Sequence, residues 1–203
     1  MKVRTFALIS ASNDRTTPES GGASRPTSAK VGSRSPGSPS AGGHTIPVTS
    51  AALRVDGADV LLSAEFALSL TPALEQALDK GVALYFTIDF ELSRTRAFWF
   101  PEKVAQWSIT YRVSYSSLTR QYRVSSGPLG QAFESLDDVE RFIGHIASRP
   151  VAQASELAKD GSYEGAVRMK LDVNQLPKPF QLNALASREW QLASDWYRFE
   201  FTP

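Results

Sequence analysis

Apolar and polar residues alternate along several stretches after residue 50, and this period of two constrains the fold more than any other feature. Each stretch has one strongly apolar face and one mostly polar face, as in a strand of an antiparallel sheet with one wetted side. The clearest stretches are residues 60–70, 82–92, 107–115 and 163–173, and a closing strand is predicted over 196–201. Because the apolar faces must pack against something, the sequence predicts a mainly β fold, an antiparallel β-sandwich that is immunoglobulin-like in outline.

Two short helices are also predicted. The first has Thr71 as N-cap, Pro72 at the first helical position and Gly81 as its stop. The second begins after Ser135 and is ended by Arg149 and Pro150. His145 falls near its C-terminus, where the helix dipole favours positive charge. Its apolar stripe consists of Leu136, Val139, Phe142, Ile143 and Ile146.

The first 50 residues have a different composition, rich in Ser, Gly, Thr and Pro, with six Lys/Arg against two Asp/Glu. Such a segment has too little apolar area to offset the entropy cost of ordering, so we expect residues 1–50 to be a disordered, solvated tail. Residues 51–203 are expected to form a single β-sandwich domain. The positive charges of the tail are scattered and lack aromatic neighbours, which argues against a nucleic-acid partner.

The chain begins in a way that superficially resembles an export signal. Lys2 and Arg4 precede a short apolar run over 6–9. A signal peptide needs an apolar region of about 7–15 residues, and polar residues from Ser10 onward interrupt this one. No stretch approaches the roughly 20 apolar residues of a membrane-spanning helix. We therefore expect neither a convincing signal peptide nor a transmembrane segment.

Catalytic chemistry has few candidates in this sequence. There is no cysteine and there are two histidines, His44 and His145. No serine elbow of the Gly-x-Ser-x-Gly type and no glycine-rich phosphate loop is present. The sequence thus predicts no catalytic residue, no metal site and no cofactor.

One pair of carboxylates leaves an enzymatic alternative open. Asp89 and Glu91 lie on the same face of a predicted strand, close enough to act as an acid–base pair of a hydrolase or lyase in a cleft between sheets. The structural interpretation is that they pair across strands with cations on the same outward faces. Those cations are Arg112, Arg120, Arg123, Arg168 and Lys170.

The aromatic residues offer a candidate binding surface. Phe98, Trp99 and Phe100 are consecutive, so an extended backbone must turn at least one of them away from the core, and Arg94 and Arg96 flank them. We predict that these five residues bind a partner, because aromatic and arginine side chains are enriched at binding hot spots. Core packing is the default for the other large aromatics, Trp107, Trp190, Trp196 and Tyr197.

A proline-flanked segment follows the fourth alternating stretch. Pro177 and Pro179 enclose Lys178, which predicts a stiff, extended segment. Leu176 and Phe180 would anchor it inward, so that it braces the sandwich.

Residues 111–125 (YRVSYSSLTRQYRVS) and 171–196 (LDVNQLPKPFQLNALASREWQLASDW) resemble a proteobacterial family of exported, proline-rich proteins, the domain of unknown function 4390. The aromatic run and the Glu102-Lys103-Val104 that follows it also resemble the family, and the likeness covers residues 51–203. The resemblance implies a β-rich domain exported to the periplasm or cell envelope, often encoded near a membrane sensor histidine kinase. It implies no active site. Together with the residue-level interpretation, it predicts a non-enzymatic envelope domain that binds a protein partner or an envelope ligand, with the sensor kinase as a candidate partner.

Overall fold

The fold is mainly β in the computed structural model, which describes residues 44–95, 102–158 and 160–203. Over these residues the chain forms eleven strands and three α-helices. The strands are β1 (His44–Thr45), β2 (Val48–Asp56), β3 (Asp59–Phe66), β4 (Leu84–Arg94), β5 (Glu102–Ser116), β6 (Gln121–Ser126), β7 (Leu129–Phe133), β8 (His145–Gln153), β9 (Tyr163–Leu171), β10 (Leu192–Ala193) and β11 (Tyr197–Phe201). The helices are α1 (Pro72–Asp79), α2 (Leu136–Gly144) and α3 (Lys178–Ala186).

The strands form two sheets. The large sheet has the order β1-β10-β9-β4-β5-β6-β7, with β11 also pairing with β9, and the small sheet has the order β2-β3-β8. All described pairings are antiparallel except that of β1 with β10. The mainly β, two-layer prediction is therefore confirmed.

The apolar faces predicted from the alternation form the core. Every second residue of β3 from Val60 to Phe66 is buried, as is every second residue of β4 from Leu84 to Leu92. The two rows belong to one hydrophobic cluster, so the facing surfaces of the two sheets share one interior.

The first predicted helix is confirmed. Thr71 is the N-cap of α1, with its hydroxyl accepting a hydrogen bond from the backbone N–H of Leu74 at 3.4 Å, and Pro72 is the first helical residue. The connection between β5 and β6 lies over residues 117–120. The closing strand is β11, which pairs with β9.

The second helix is shorter than predicted. It begins at Leu136 but ends at Gly144, and strand β8 starts directly at His145. Ile146 is buried as predicted, although it belongs to β8 rather than to the helix. A single apolar position satisfies both periodicities, so the sequence pattern does not distinguish the end of the helix from the start of the strand.

The predicted extended segment around Lys178 is wrong, because helix α3 begins at that residue. A proline in the first turn of a helix has no intrahelical N–H to lose, so Pro179 is compatible with the helix. The carbonyl of Pro177 accepts the N–H groups of Phe180 and Gln181 at 2.8 and 3.2 Å. Leu176 is buried and Phe180 packs on the core, as the predicted inward anchors require.

The folded region includes residues that the composition assigned to the tail. Strand β1 and the first part of β2 lie within residues 44–50, and Ile46 is buried. Ile46 and Val48 are the apolar positions of this short segment, and the surrounding Ser, Gly and Pro residues dilute their signal. The remainder of the predicted tail, residues 1–43, lies outside the described residues.

Candidate functional site: an aromatic groove under strand β8

The predicted partner-binding residues fall mostly outside the described ranges. Arg94 is the last residue of β4, is half-buried, and is in register with Glu102 of β5 and Tyr163 of β9. Arg96 and the aromatic run Phe98, Trp99 and Phe100 are not among the residues that the structure describes. Their role in partner binding stays a prediction.

The alternative catalytic pair lies on the outer face of the large sheet. One oxygen of Asp89, Oδ1, accepts a hydrogen bond from the Ser108 hydroxyl at 3.0 Å. The other, Oδ2, lies 3.0 Å from Nη2 of Arg168 and 3.3 Å from Nζ of Lys170. Glu91 forms an ion pair with Lys103 at 3.0 Å. Both carboxylates thus have cross-strand cationic partners, which is the arrangement expected of structural ion pairs.

The electrostatics of Asp89 follow from these contacts. Partial burial raises the pKa of a carboxyl group, but hydrogen bonds from Ser108, Arg168 and Lys170 outweigh it, so the pKa of Asp89 is lowered from its ordinary value. The guanidinium of Arg168 also lies over the ring of Trp196, 4.4 Å from its centroid. A carboxylate held in its charged form by several donors is poorly suited to take up a proton as a general base.

A concave surface lies elsewhere, where the small sheet fails to cover the large one. We call it the aromatic groove. Its apolar part consists of Tyr111 of β5, Phe133 of β7 and Phe142 of α2, and its volume is about 840 Å³. The remaining lining residues are Glu65, Phe66, Asp138, Arg141, Gly144, His145 and Ala147.

Helix α2 positions the aromatic part of the groove. Its N-cap, Ser135, accepts a hydrogen bond from the backbone N–H of Asp138 at 3.1 Å. The last turn then brings Phe142 against Tyr111 edge-on, with ring centroids 6.1 Å apart, and against Phe133 at 5.1 Å. Phe142 is nevertheless 39% exposed, so the three rings leave an apolar surface in contact with solvent.

Gly144 sets how closely α2 and β8 approach the small sheet. A Cβ atom at this position would lie 2.5 Å from the backbone oxygen of Phe66. Only glycine permits that approach, after which the chain turns from helix to strand and β8 pairs with β3. The position of this wall of the groove therefore depends on residue 144 having no side chain.

A histidine–carboxylate contact and an ion pair form the polar rim of the groove. Nδ1 of His145 lies 2.5 Å from Oε1 of Glu65, and Nη2 of Arg141 lies 2.5 Å from Oδ1 of Asp138. His145 thus lies at the C-terminal end of α2, as the sequence predicts. It also contacts the carboxylate of Glu65 on the neighbouring strand β3. Exposed pairs of this kind contribute little to stability, so they define the border of the groove rather than the strength of the fold.

Inside this rim, Tyr111 is the principal polar group on the aromatic surface. Burial raises the pKa of Tyr111 above its ordinary value, and the nearby Arg149 only partly opposes this. The phenol is therefore neutral at physiological pH. It is available as a hydrogen-bond donor in an otherwise apolar wall.

Sequence reasoning placed two of these aromatic residues on inward apolar faces. Tyr111 belongs to the apolar face of the third alternating stretch, and Phe142 belongs to the stripe of the second helix. The alternation indicates which face of a strand is apolar but not which strands the second sheet covers. Which strands the small sheet covers depends on long-range strand pairing, and the alternation within one strand carries no signal for it.

The described residues show no metal centre and no helix that could cross a membrane. Within the described ranges no group of three or more His, Cys, Asp or Glu residues is arranged to hold a metal ion. Over the same part of the chain, no helix has the length and apolar character that a bilayer requires.

The fold and its groove define a β-rich two-sheet domain with an exposed aromatic surface. The family model for a domain of unknown function, DUF4390, matches residues 44–200, and the chain belongs to this family. The matched range begins at β1, the first strand that the structure describes, and ends in β11. No curated protein and no solved structure matches the chain.

Proposed function

We propose that the chain is a non-enzymatic binding domain whose aromatic groove takes an apolar segment of a protein partner. The observation that carries the proposal is the exposed ring of Phe142, held against Tyr111 and Phe133 on the floor of an 840 Å³ depression. Soluble domains seldom leave a contiguous aromatic surface open unless something covers it. Aromatic floors with a polar rim are also the usual anatomy of protein interfaces.

The cell envelope as location, and a membrane sensor histidine kinase as partner, rest on the family resemblance alone. They make the proposal specific enough to test. The envelope-facing domain of such a kinase would supply the apolar segment, and the rim pairs Glu65–His145 and Asp138–Arg141 would orient it. The hydrolase or lyase alternative would need Asp89 or Glu91 free to exchange a proton, whereas each is neutralised by a cross-strand cation.

The proposal is tested by filling the groove. Ala147 lies on β8 and lines the groove, so Ala147→Trp places a bulky ring in it. Ala52 is an exposed alanine on β2, the opposite edge of the same small sheet, so Ala52→Trp is the matched control. The purified envelope-facing domain of a membrane sensor histidine kinase from the same organism is titrated by calorimetry with each variant.

We expect Ala147→Trp to weaken binding by about tenfold or more, and Ala52→Trp to leave it unchanged. Equal affinities for the two variants would contradict the groove as the binding surface. Absence of binding by the unmodified protein would contradict the kinase as partner. Fractionation of the natural gene product tests the envelope location independently.

A further inference from the structure

Strand β7 forms an open edge of the large sheet. Among the described strands it pairs with β6 alone, over the five residues Leu129–Phe133. An edge strand presents unpaired N–H and C=O groups, and proteins usually protect such an edge with charge, proline, a bulge or short length. Strand β7 contains no ionisable residue and no proline, and its pairing with β6 has no register shift.

The other edges are protected in these ways. Strand β1 is two residues long. Strand β8 contains Pro150, a positive φ at Ser148 and two shifts of register against β3. Strand β11 carries Arg198 and Glu200, and β2 has a register shift next to Val48. Among the described strands that end a sheet, β7 is therefore the exception.

The register shows which backbone groups face outward. A two-residue turn, Gly127–Pro128 with φ of 58° at the glycine, joins β6 to β7 and pairs Ser126 with Leu129. In hairpins with two-residue loops this closing pair is hydrogen-bonded, and hydrogen-bonded pairs then alternate along the ladder. Hence Gly130 and Ala132 direct their N–H and C=O groups away from β6, toward the open edge.

The sequence of β7 allows two copies of the strand to pair with each other in an antiparallel register centred on Gln131. In an antiparallel pairing centred on Gln131, Gly130 meets Ala132 of a second copy and Ala132 meets its Gly130. Each such pair exchanges two hydrogen bonds, which satisfies the groups that face outward. The outward pairs have small side chains, so the two backbones approach without steric conflict.

The same register also covers an exposed leucine. Leu129 and Phe133 lie on one face of β7, since their partners across the ladder are Ser126 and Tyr122. Leu129 is 77% exposed. Pairing centred on Gln131 sets Leu129 against Phe133 of the second copy, in a non-hydrogen-bonded pair whose side chains lie close together. This contact occurs twice about a two-fold axis, and no like charges meet along the strand.

We propose that β7 is a homodimer interface, at which two copies pair edge to edge and continue the large sheet across a two-fold axis. The interface is isologous, as closed dimers require. The interface adjoins the groove, because Leu129 of the second copy packs on Phe133, whose ring also lines the groove, whereas the hydrogen bonds come from the backbone edge of β7.

Sedimentation velocity over a range of protein concentrations tests the dimer. Leu129→Lys places a charge against Phe133 of the second copy. Ala132→Pro removes an outward N–H that the ladder with β6 does not use. The matched control is Leu118→Lys, since Leu118 is 93% exposed and belongs to the loop between β5 and β6 rather than to β7. Circular dichroism shows whether each variant folds. If Ala132→Pro does not fold, the result for Leu129→Lys alone decides the test.

The unmodified chain and Leu118→Lys should dimerise with the same dissociation constant, which Leu129→Lys raises by about tenfold or more. The backbone N–H groups of Gly130 and Ala132 should exchange with solvent more slowly as protein concentration rises. A monomer at every concentration would overturn the proposal. So would a dimer of unchanged affinity in Leu129→Lys, or slow exchange at these two positions in the monomer.

Discussion

The two halves of the large sheet carry the same alternation but differ in what covers them. In β4 the inward residues from Leu84 to Leu92 are fully buried beneath the small sheet. In β5 the partners of Phe86, Ile88 and Phe90, which are Tyr111, Ile109 and Trp107, are only half-buried, whereas Val113 opposite Leu84 is buried. The same pattern of side chains therefore forms a core in one half and an open aromatic surface in the other.

The difference arises from the width of the small sheet. Strand β2 contacts β9, and β8, at the opposite edge of the small sheet, contacts β5, while α1 packs against β5 and α2 contacts β6 and β7. One such contact is the guanidinium of Arg149, which lies over the ring of Trp107 at 5.2 Å from its centroid. A cation stacked on an aromatic ring covers the ring without excluding water from it, so this half remains available to a partner.

The largest expected effect tests the covered half. Phe86 of β4 is 0% exposed and lies directly opposite Tyr111 of β5. Phe86→Ala should lower the free energy of unfolding by about 3–5 kcal/mol, because it leaves a cavity in a packed interior. Urea denaturation followed by fluorescence measures the change. A decrease in the free energy of unfolding of less than about 1 kcal/mol would mean that the small sheet does not bury this half of the large sheet.

The second largest expected effect tests the open half at Tyr111, the residue of β5 that lies opposite Phe86. Tyr111→Ala should cost about 1–2 kcal/mol, since a half-exposed ring loses only part of its burial energy. The same urea titration gives the value, with Phe86→Ala as the internal reference. A loss as large as that of Phe86→Ala would make Tyr111 a core residue, and the aromatic groove would then lose its floor.

These paired positions show what the sequence predicts and what it does not. The period of two identifies Phe86 and Tyr111 equally well as inward-facing residues, because side-chain direction is a local property of the strand. Their different burial depends on which strands share a sheet and on how wide the other sheet is. That information lies in long-range pairing, for which a single sequence carries no periodic signal.

The same limit explains the errors at the helices. Ile146 fits the helical stripe of α2, yet the carbonyl of Phe66, which is distant in sequence, lies against Gly144 where the helix ends. Pro177 and Pro179 predict an extended segment by local sterics, but a proline in the first turn is equally compatible with helix α3. By contrast, Thr71 and Pro72 predict the start of α1 correctly because a cap is a local interaction.

The smallest expected effect concerns the outer face, where neither half is covered. Asp89→Asn should lower the free energy of unfolding by about 1 kcal/mol at neutral pH, because the ion pairs with Arg168 and Lys170 are partly solvated. The pKa of Asp89 is lowered in the folded chain. Its stabilising contribution is therefore complete above the unfolded pKa of about 4 and is lost as the pH falls through the lower, folded value.

The difference in stability between the unmodified chain and Asp89→Asn should consequently shrink on acidification below about pH 4, as measured by urea titrations from about pH 2 to pH 7. Glu91→Gln is the matched control on the same strand face, and its effect should be smaller because Glu91 has one cationic partner, Lys103. A difference that stayed constant or grew toward low pH would mean that the cations do not stabilise the charged form of Asp89. Its assignment as a structural ion-pair residue would then fail, and the alternative use of this carboxylate in acid–base chemistry would regain support.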